Sequence, residues 1–193
     1  MKSKILSISL LALSLLVLAL PSAQAQSKLD TTKVLFSTSL GNITILLFER
    51  EAPITVKNFL AYVDSGFYNG TIFHRVIPGF VIQGGGLDKK MNRRPTFAPI
   101  KNESDNGMKN ERGTLSMART SDPNSATSQF FINLVDNRSL DYSGRGPGYA
   151  VFGKVIQGMD VVDKIAKVET GTHGQYENVP KQPVYVISAK RIK

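Results

Sequence analysis

The stretch Phe73-His74-Arg75-Val76-Ile77-Pro78-Gly79-Phe80-Val81-Ile82-Gln83-Gly84-Gly85 sets Arg75 and Gln83 among apolar and turn residues. Outward from it, short apolar runs recur between turn formers: Ile72-Phe73, Phe80-Val81-Ile82, Thr114-Leu115-Ser116-Met117, Phe130-Phe131-Ile132 and Ala150-Val151-Phe152. Runs this short predict strands. Nearer the start, Val34-Leu35-Phe36 and Ile43-Thr44-Ile45-Leu46-Leu47-Phe48 flank Gly41-Asn42, which predicts an opening β-hairpin. The residues from Val184 to Ile192 alternate like a closing strand.

Two segments carry helical spacing. After Pro53, the apolar residues Val56, Phe59, Leu60 and Val63 recur at three- and four-residue intervals, and Gly66 follows as a stop. Val161, Val162 and Ile165 mark a second, shorter helix from Asp160 to Ala166. Many short strands with two helices suggest a closed or nearly closed antiparallel barrel. Between Asp88 and Gly113 the chain is polar and rich in Asn, Lys and Arg, which predicts a long surface excursion.

The 193 residues hold 24 Lys and Arg against 15 Asp and Glu, a net charge of +9, with 41% hydrophobic residues. That balance excludes a largely disordered chain. The absence of Cys excludes disulfides, a thiolate nucleophile and a zinc ribbon. Residues 1–25 have the layout of a secretory signal: Lys2 and Lys4, an apolar run over residues 5–20, then Pro21 and Ala23-Gln24-Ala25. The apolar run is shorter than the roughly 20 residues of a membrane span. Cleavage is therefore expected after Ala25 rather than retention as an anchor, with residues 26–193 forming one domain. The positive charge is read as a solubility feature, because an exported chain meets little nucleic acid.

Several chemistries lack their motifs. There is no G-x-S-x-G nucleophile turn, no G-x-x-x-x-G-K-[ST] phosphate loop and no H-E-x-x-H zinc helix. Gly84-Gly85-Gly86 and the glycines of Gly144-Arg145-Gly146-Pro147-Gly148 open no dinucleotide-binding unit and are read as tight bends. His74 and His173 lie far apart without a close acidic partner, so His74 is read as a buried structural residue and His173 as a loop residue. No metal or cofactor is expected.

Three further stretches complete the pattern: Ser128-Gln129-Phe130-Phe131-Ile132, Leu140-Asp141, and Tyr149-Ala150-Val151-Phe152-Gly153-Lys154. In this order, with F-H-R-x-I-P-G-F-x-x-Q-G-G, they resemble the cyclophilins, peptidyl-prolyl cis/trans isomerases, over nearly all of residues 33–192. Gly113-Thr114-Leu115-Ser116-Met117-Ala118-Arg119-Thr120 and Gly158-Met159-Asp160-Val161-Val162-Asp163-Lys164-Ile165 resemble the exported bacterial branch, which with the leader implies a periplasmic protein. The resemblance implies a mainly β fold, a closed eight-stranded antiparallel β-barrel capped by two α-helices, with the site on an outer face.

It also implies roles. Arg75 is the catalytic candidate. Phe80, Phe131, Leu140 and Val81 line an apolar proline pocket, Gln83 and Gln129 hold the peptide's polar groups, and Ala118 and Arg119 meet it through their backbone. Phe73 and Phe130 alternate with site residues and are assigned to the core. Ser139 stands where many cyclophilins have Trp, and Tyr149 where they have His, so weak cyclosporin binding is implied. Arg119, where others carry Asn, is read as a possible preference for acidic substrates. The implied partners are proline-containing unfolded or partly folded polypeptides, with no nucleic acid and no stable membrane insertion, and the protein is read as a monomer. Two rival readings stand beside the isomerase. One is a proline-segment binding module with little catalysis, warranted by Ser139; the other is a polyanion-binding surface at Lys89-Lys90 and Arg93-Arg94.

Overall fold

The computed structural model describes residues 32–192. The leader expected at residues 1–25, with its cleavage site, lies outside the described residues. In chain order the elements are β1 (Lys33–Thr38), β2 (Gly41–Leu47), α1 (Pro53–Asp64), β3 (Thr71–Ile77), β4 (Val81–Asp88), β5 (Thr114–Met117) and β6 (Phe130–Asn133). They are followed by β7 (Val151–Gln157), α2 (Met159–Ala166), β8 (Thr170–His173), β9 (Tyr176–Pro180) and β10 (Val186–Ile192). A single 3-10 turn, Arg138–Leu140, precedes β7.

Eight strands form one antiparallel sheet in the order β10-β1-β2-β7-β5-β6-β4-β3. The predicted closed barrel is corrected here: the sheet is curled but open, with β10 and β3 as its edges. The edges meet at one bridge, Ile72 to Tyr185, beside the bonds Gly70 N–H to Val186 O (2.7 Å) and Phe73 N–H to Val184 O (2.9 Å). Pro183 has no N–H to continue that ladder. Beyond it, β3 lies against β9 instead. The two-stranded ribbon β8–β9, turned at Gly174-Gln175, is not expected from the sequence because its strands bury little and show no apolar alternation, and His173, expected in a loop, instead ends β8 paired with Tyr176.

The opening hairpin is present, but its turn is Ser39-Leu40 rather than Gly41-Asn42, with Thr38 paired to Gly41. Thr38 Oγ1 donates to Gly41 O at 2.7 Å and accepts from Leu40 N–H at 3.2 Å, so a threonine hydroxyl closes the turn two residues early. α1 begins at Pro53, where the missing N–H costs no helical bond. Its N-cap, Ala52, supplies no side-chain acceptor. The Glu103 carboxylate replaces it, accepting from Ile54 N–H (3.0 Å), Thr55 N–H (2.8 Å) and Thr55 Oγ1 (2.7 Å). The polar excursion therefore carries the cap that α1 lacks. Lys89, Arg93 and Arg94 of the same excursion are engaged locally, with the Tyr185 ring, Tyr176 Oη and Phe67 O respectively.

The core fills the inside of the curl. Phe59 of α1 stacks on Phe36 (6.0 Å) and meets Phe130 edge-on (5.8 Å), while Tyr68 packs against both Phe36 and Phe59. The buried Tyr68 hydroxyl donates to Ser128 O at 2.9 Å, so burial leaves it satisfied. Phe73 and Phe130 lie in this core, as their alternation predicts.

His74 is buried, as expected, but its Nδ1 has no hydrogen-bond partner. Burial and, secondly, the Arg75 guanidinium lower its pKa from 6.5 to about 4. The folded protein thus resists a proton that the unfolded chain accepts. Stability is fully present above pH 6.5 and falls as pH drops from 6.5 towards 4, by about 3 kcal/mol over that window. Denaturant unfolding of the wild type and His74→Gln from pH 7 to pH 4 should show the wild type losing stability relative to the variant. A pH-independent difference would refute this assignment.

Candidate active site

Strand register assembles the site. Across four adjacent strands, Arg75 pairs with Gln83, Gln83 with Phe131, and Phe131 with Ser116. Because side chains alternate along a strand, this transverse row shares one face, and the neighbouring row through Phe130 faces the core. Two positions along the same strands, Val81 pairs with Asn133. The row borders a surface cavity of about 300 Å³ lined by Arg75, Phe80, Val81, Gln83, Ala118, Arg119, Phe131, Leu140 and Tyr149. Every site residue expected from the sequence lies in this wall except Gln129. Gln129 sits one step behind, its Oε1 accepting from Gln83 Nε2 at 3.0 Å.

Arg75 is held by Gln83, whose Oε1 accepts from Arg75 Nη1 at 3.3 Å, and its guanidinium lies 6.0 Å from the Phe80 ring centroid. Among the described residues it forms no ion pair. A chain of neutral amides, Gln129 to Gln83 to Arg75, thus orients an uncompensated cation. His74, uncharged at neutral pH, adds no second positive charge beside it. A second hollow of about 380 Å³ lies beyond Arg75 and Gln83, bordered also by His74, Gln129 and Tyr176.

The glycine run after Gln83 is not a bend, as the sequence suggested, but the interior of β4. A Cβ on Gly86 would lie 2.5 Å from Gln129 Cγ, so the missing side chain makes the room Gln129 occupies. Phe131 in turn meets Tyr149 edge-on, with centroids 5.5 Å apart. Tyr149 N–H donates to Leu140 O at 2.9 Å, joining the 3-10 turn to β7. A Cβ on Gly148 would lie 2.3 Å from Tyr142 N, so only glycine fits that crossing.

The Arg119 side chain is turned onto neighbouring backbone. Its Nη2 donates to Pro147 O (2.8 Å), its Nη1 to Thr120 O (2.9 Å) and its Nε to Gly148 O (3.3 Å). Those donors are occupied by backbone carbonyls and do not address a substrate carboxylate.

Sequence reasoning missed the support beneath the pocket. Asn137 Nδ2 donates to Phe80 O (3.0 Å) and to Asn133 Oδ1 (2.8 Å), and Asn133 Nδ2 donates to Thr114 Oγ1 (2.9 Å). Ser116 Oγ donates to Asn110 Oδ1 (2.7 Å), while Asn110 N–H and Nδ2 reach Asp141 Oδ1 at 2.7 and 3.0 Å. This buried network ties the Phe80 backbone to the turn that carries Leu140. Asn133, ending an otherwise apolar Phe-Phe-Ile run, was the available signal.

Comparison with known proteins bears on the same span. The family described as "Cyclophilin type peptidyl-prolyl cis-trans isomerase/CLD" matches residues 33–191. Peptidyl-prolyl cis-trans isomerase A of Dickeya dadantii is 60% identical over 163 residues, covering 84% of this chain and 86% of its own. Peptidyl-prolyl cis-trans isomerase B of Escherichia coli is 58% identical over 158 residues, covering 80% and 96%. A crystal structure of a cyclophilin type isomerase from Cryptosporidium parvum, obtained in the presence of the dipeptide Ala-Pro, superposes with TM-score 0.68 at 29% identity, covering 83% of this chain and 99% of that one. A family match that spans both edge strands and the whole Arg75 to Phe131 row, with relatives this close, makes the chain a member of the cyclophilin-type peptidyl-prolyl cis-trans isomerase family and an isomerase of that type.

Proposed function

We propose that the protein accelerates X-Pro isomerisation in exported polypeptides during folding, and that Arg75 does so by binding the twisted amide above an apolar proline pocket. The supporting observation is the row Arg75–Gln83–Phe131, which sets one oriented guanidinium beside an aromatic floor. Rotation about the peptide bond faces a barrier of roughly 18–20 kcal/mol because the nitrogen lone pair is delocalised into the carbonyl. In the twisted state the proline nitrogen regains that lone pair and becomes a better acceptor. A guanidinium fixed beside it therefore binds the transition state more tightly than either planar isomer.

The chemistry asks little else of the site. No bond is broken and no proton is transferred, so neither a nucleophile nor a general base is needed. The proline ring is held against Phe131, Phe80 and Leu140 while the remainder of the peptide turns, and Gln83 with Gln129 holds its polar groups. The dipeptide Ala-Pro named with the Cryptosporidium parvum structure is consistent with such a ligand. Cyclosporin binds weakly, because the chain has no Trp and presents exposed Ser139 on the turn beside Leu140. The protein acts in the periplasm after cleavage at Ala25, a reading that rests on the leader and on a Cys-free chain suited to an oxidising compartment.

Arg75→Ala should lower kcat/KM for a short Ala-Pro peptide about 10²–10³-fold, the typical effect of removing one transition-state donor, with peptide binding retained. NMR exchange spectroscopy at equal folded concentration measures it. Equal rates in both proteins would refute the role of Arg75. Binding without acceleration by the wild type would instead favour the proline-segment module.

Export is checked separately. In a Gram-negative host, the protein recovered from the periplasmic fraction should begin at Gln26 by intact mass. A membrane-bound product retaining residues 1–25 would support the anchor reading instead.

A further inference from the structure

The loop over residues 142–148 joins Leu140 to Tyr149, both of which line the proline pocket, yet it has no regular structure and residues 142–147 are exposed. Gly144, Gly146 and Gly148 give it wide backbone freedom. Such a loop makes a defined wall only if something outside it fixes its path. Arg119 does this with one edge of its guanidinium, Nη2 to Pro147 O and Nε to Gly148 O, while Nη1 is held by its own neighbour at Thr120 O. Asn102 Nδ2 adds a bond to the same Gly148 carbonyl at 3.1 Å. The guanidinium carbon also lies 4.5 Å from the Tyr149 ring centroid, and that ring stands edge-on to Phe131.

From this geometry we infer that Arg119 is a positioning residue that latches the 142–148 loop and, through Tyr149, sets the width of the proline pocket. The arginine is suited to the task. A planar fork reaches several carbonyls in fixed directions while its face covers an aromatic ring, whereas a lysine ammonium is a single point charge. Arg119 carries no carboxylate partner among the described residues; backbone carbonyls and a π face receive its charge. The latch acts on ring capture, which planar and twisted forms share, and shares no hydrogen bond with the Arg75–Gln83 pair.

The inference rests on the isomerase reading for its kinetic consequence, but the latch itself has an independent readout. Arg119→Ala and Arg119→Lys should both raise KM for an Ala-Pro peptide severalfold with kcat nearly unchanged, because uniform binding is lost. Tyr149→Leu should do the same, and the double variant Arg119→Ala/Tyr149→Leu should be no worse than either single one. In backbone NMR relaxation of the free protein, residues 142–149 should lose order in Arg119→Ala, with β4 and β6 unchanged. Loss of loop order would uphold the latch even if the wild type proved inactive. Unchanged order in residues 142–149, a fall in kcat at constant KM, additive effects in the double variant, or full rescue by Lys would each overturn it.

Discussion

Phe130 and Phe131 are adjacent on β6, and the pleat of a strand forbids them the same face. The constraint couples the core to the site. Phe130 is clamped edge-on by Phe36, Phe59, Tyr68 and Phe73, so its direction is fixed by contacts from β1, α1 and β3 and from the segment that follows α1. Phe131 must then face outward, where it becomes the floor of the pocket. A slip of one residue in β6 would turn Phe131 into the core and Phe130 towards the pocket, destroying core and site together. The same pairing extends the consequence sideways, because whatever register holds Phe131 also holds Gln83 and Arg75 beside it.

A fixed register still leaves the rim of the pocket to be built from irregular chain. Phe80 sits at the turn between β3 and β4, and Leu140 on a 3-10 turn. Neither segment has a ladder to hold it. The asparagines supply the missing order: Asn137 holds the Phe80 carbonyl, and Asn110 connects Ser116 with Asp141. Buried amides can do this because each offers donors and an acceptor at one point, and a satisfied network of this kind specifies one arrangement. The Leu134 N–H bond to the same Phe80 carbonyl at 2.9 Å adds a main-chain tie.

This division explains what the sequence disclosed. Short apolar runs between turn formers gave the eight sheet strands, and three- and four-residue spacing gave both helices, because those signals come from burial on one face. The two-stranded ribbon buries Val179 and Pro180 at one end and little else, so it left no periodic trace. Closure of the sheet was not legible either, since it depends on whether the edge strands find each other's amides, and Pro183 with β9 prevents a continuous ladder. At the site, every residue of the apolar pocket was legible through the family pattern. Arg119 falls in the pocket wall, but its hold on the loop was not legible, because a residue's type does not reveal that its Nε and Nη2 donors end on carbonyls nearly thirty residues away. The hairpin turn failed for a similar reason: the Thr38 hydroxyl competes with glycine as the agent of reversal.

The electrostatics of the site follow from what the reaction needs. A transition state that gains only a localised lone pair is best served by a donor whose field is not cancelled in the ground state. An arginine paired to a carboxylate would be well oriented but would spend its charge on that partner. Here orientation comes from Gln83, a neutral group that takes one donor at Nη1. The neighbouring imidazole is kept neutral by burial and by Arg75 itself, so the strand presents one cation where two would repel. Orienting by amides and neutralising by burial lets a single guanidinium remain both fixed and uncompensated, and under the mechanism proposed above that combination is what would distinguish a twisted amide from a planar one.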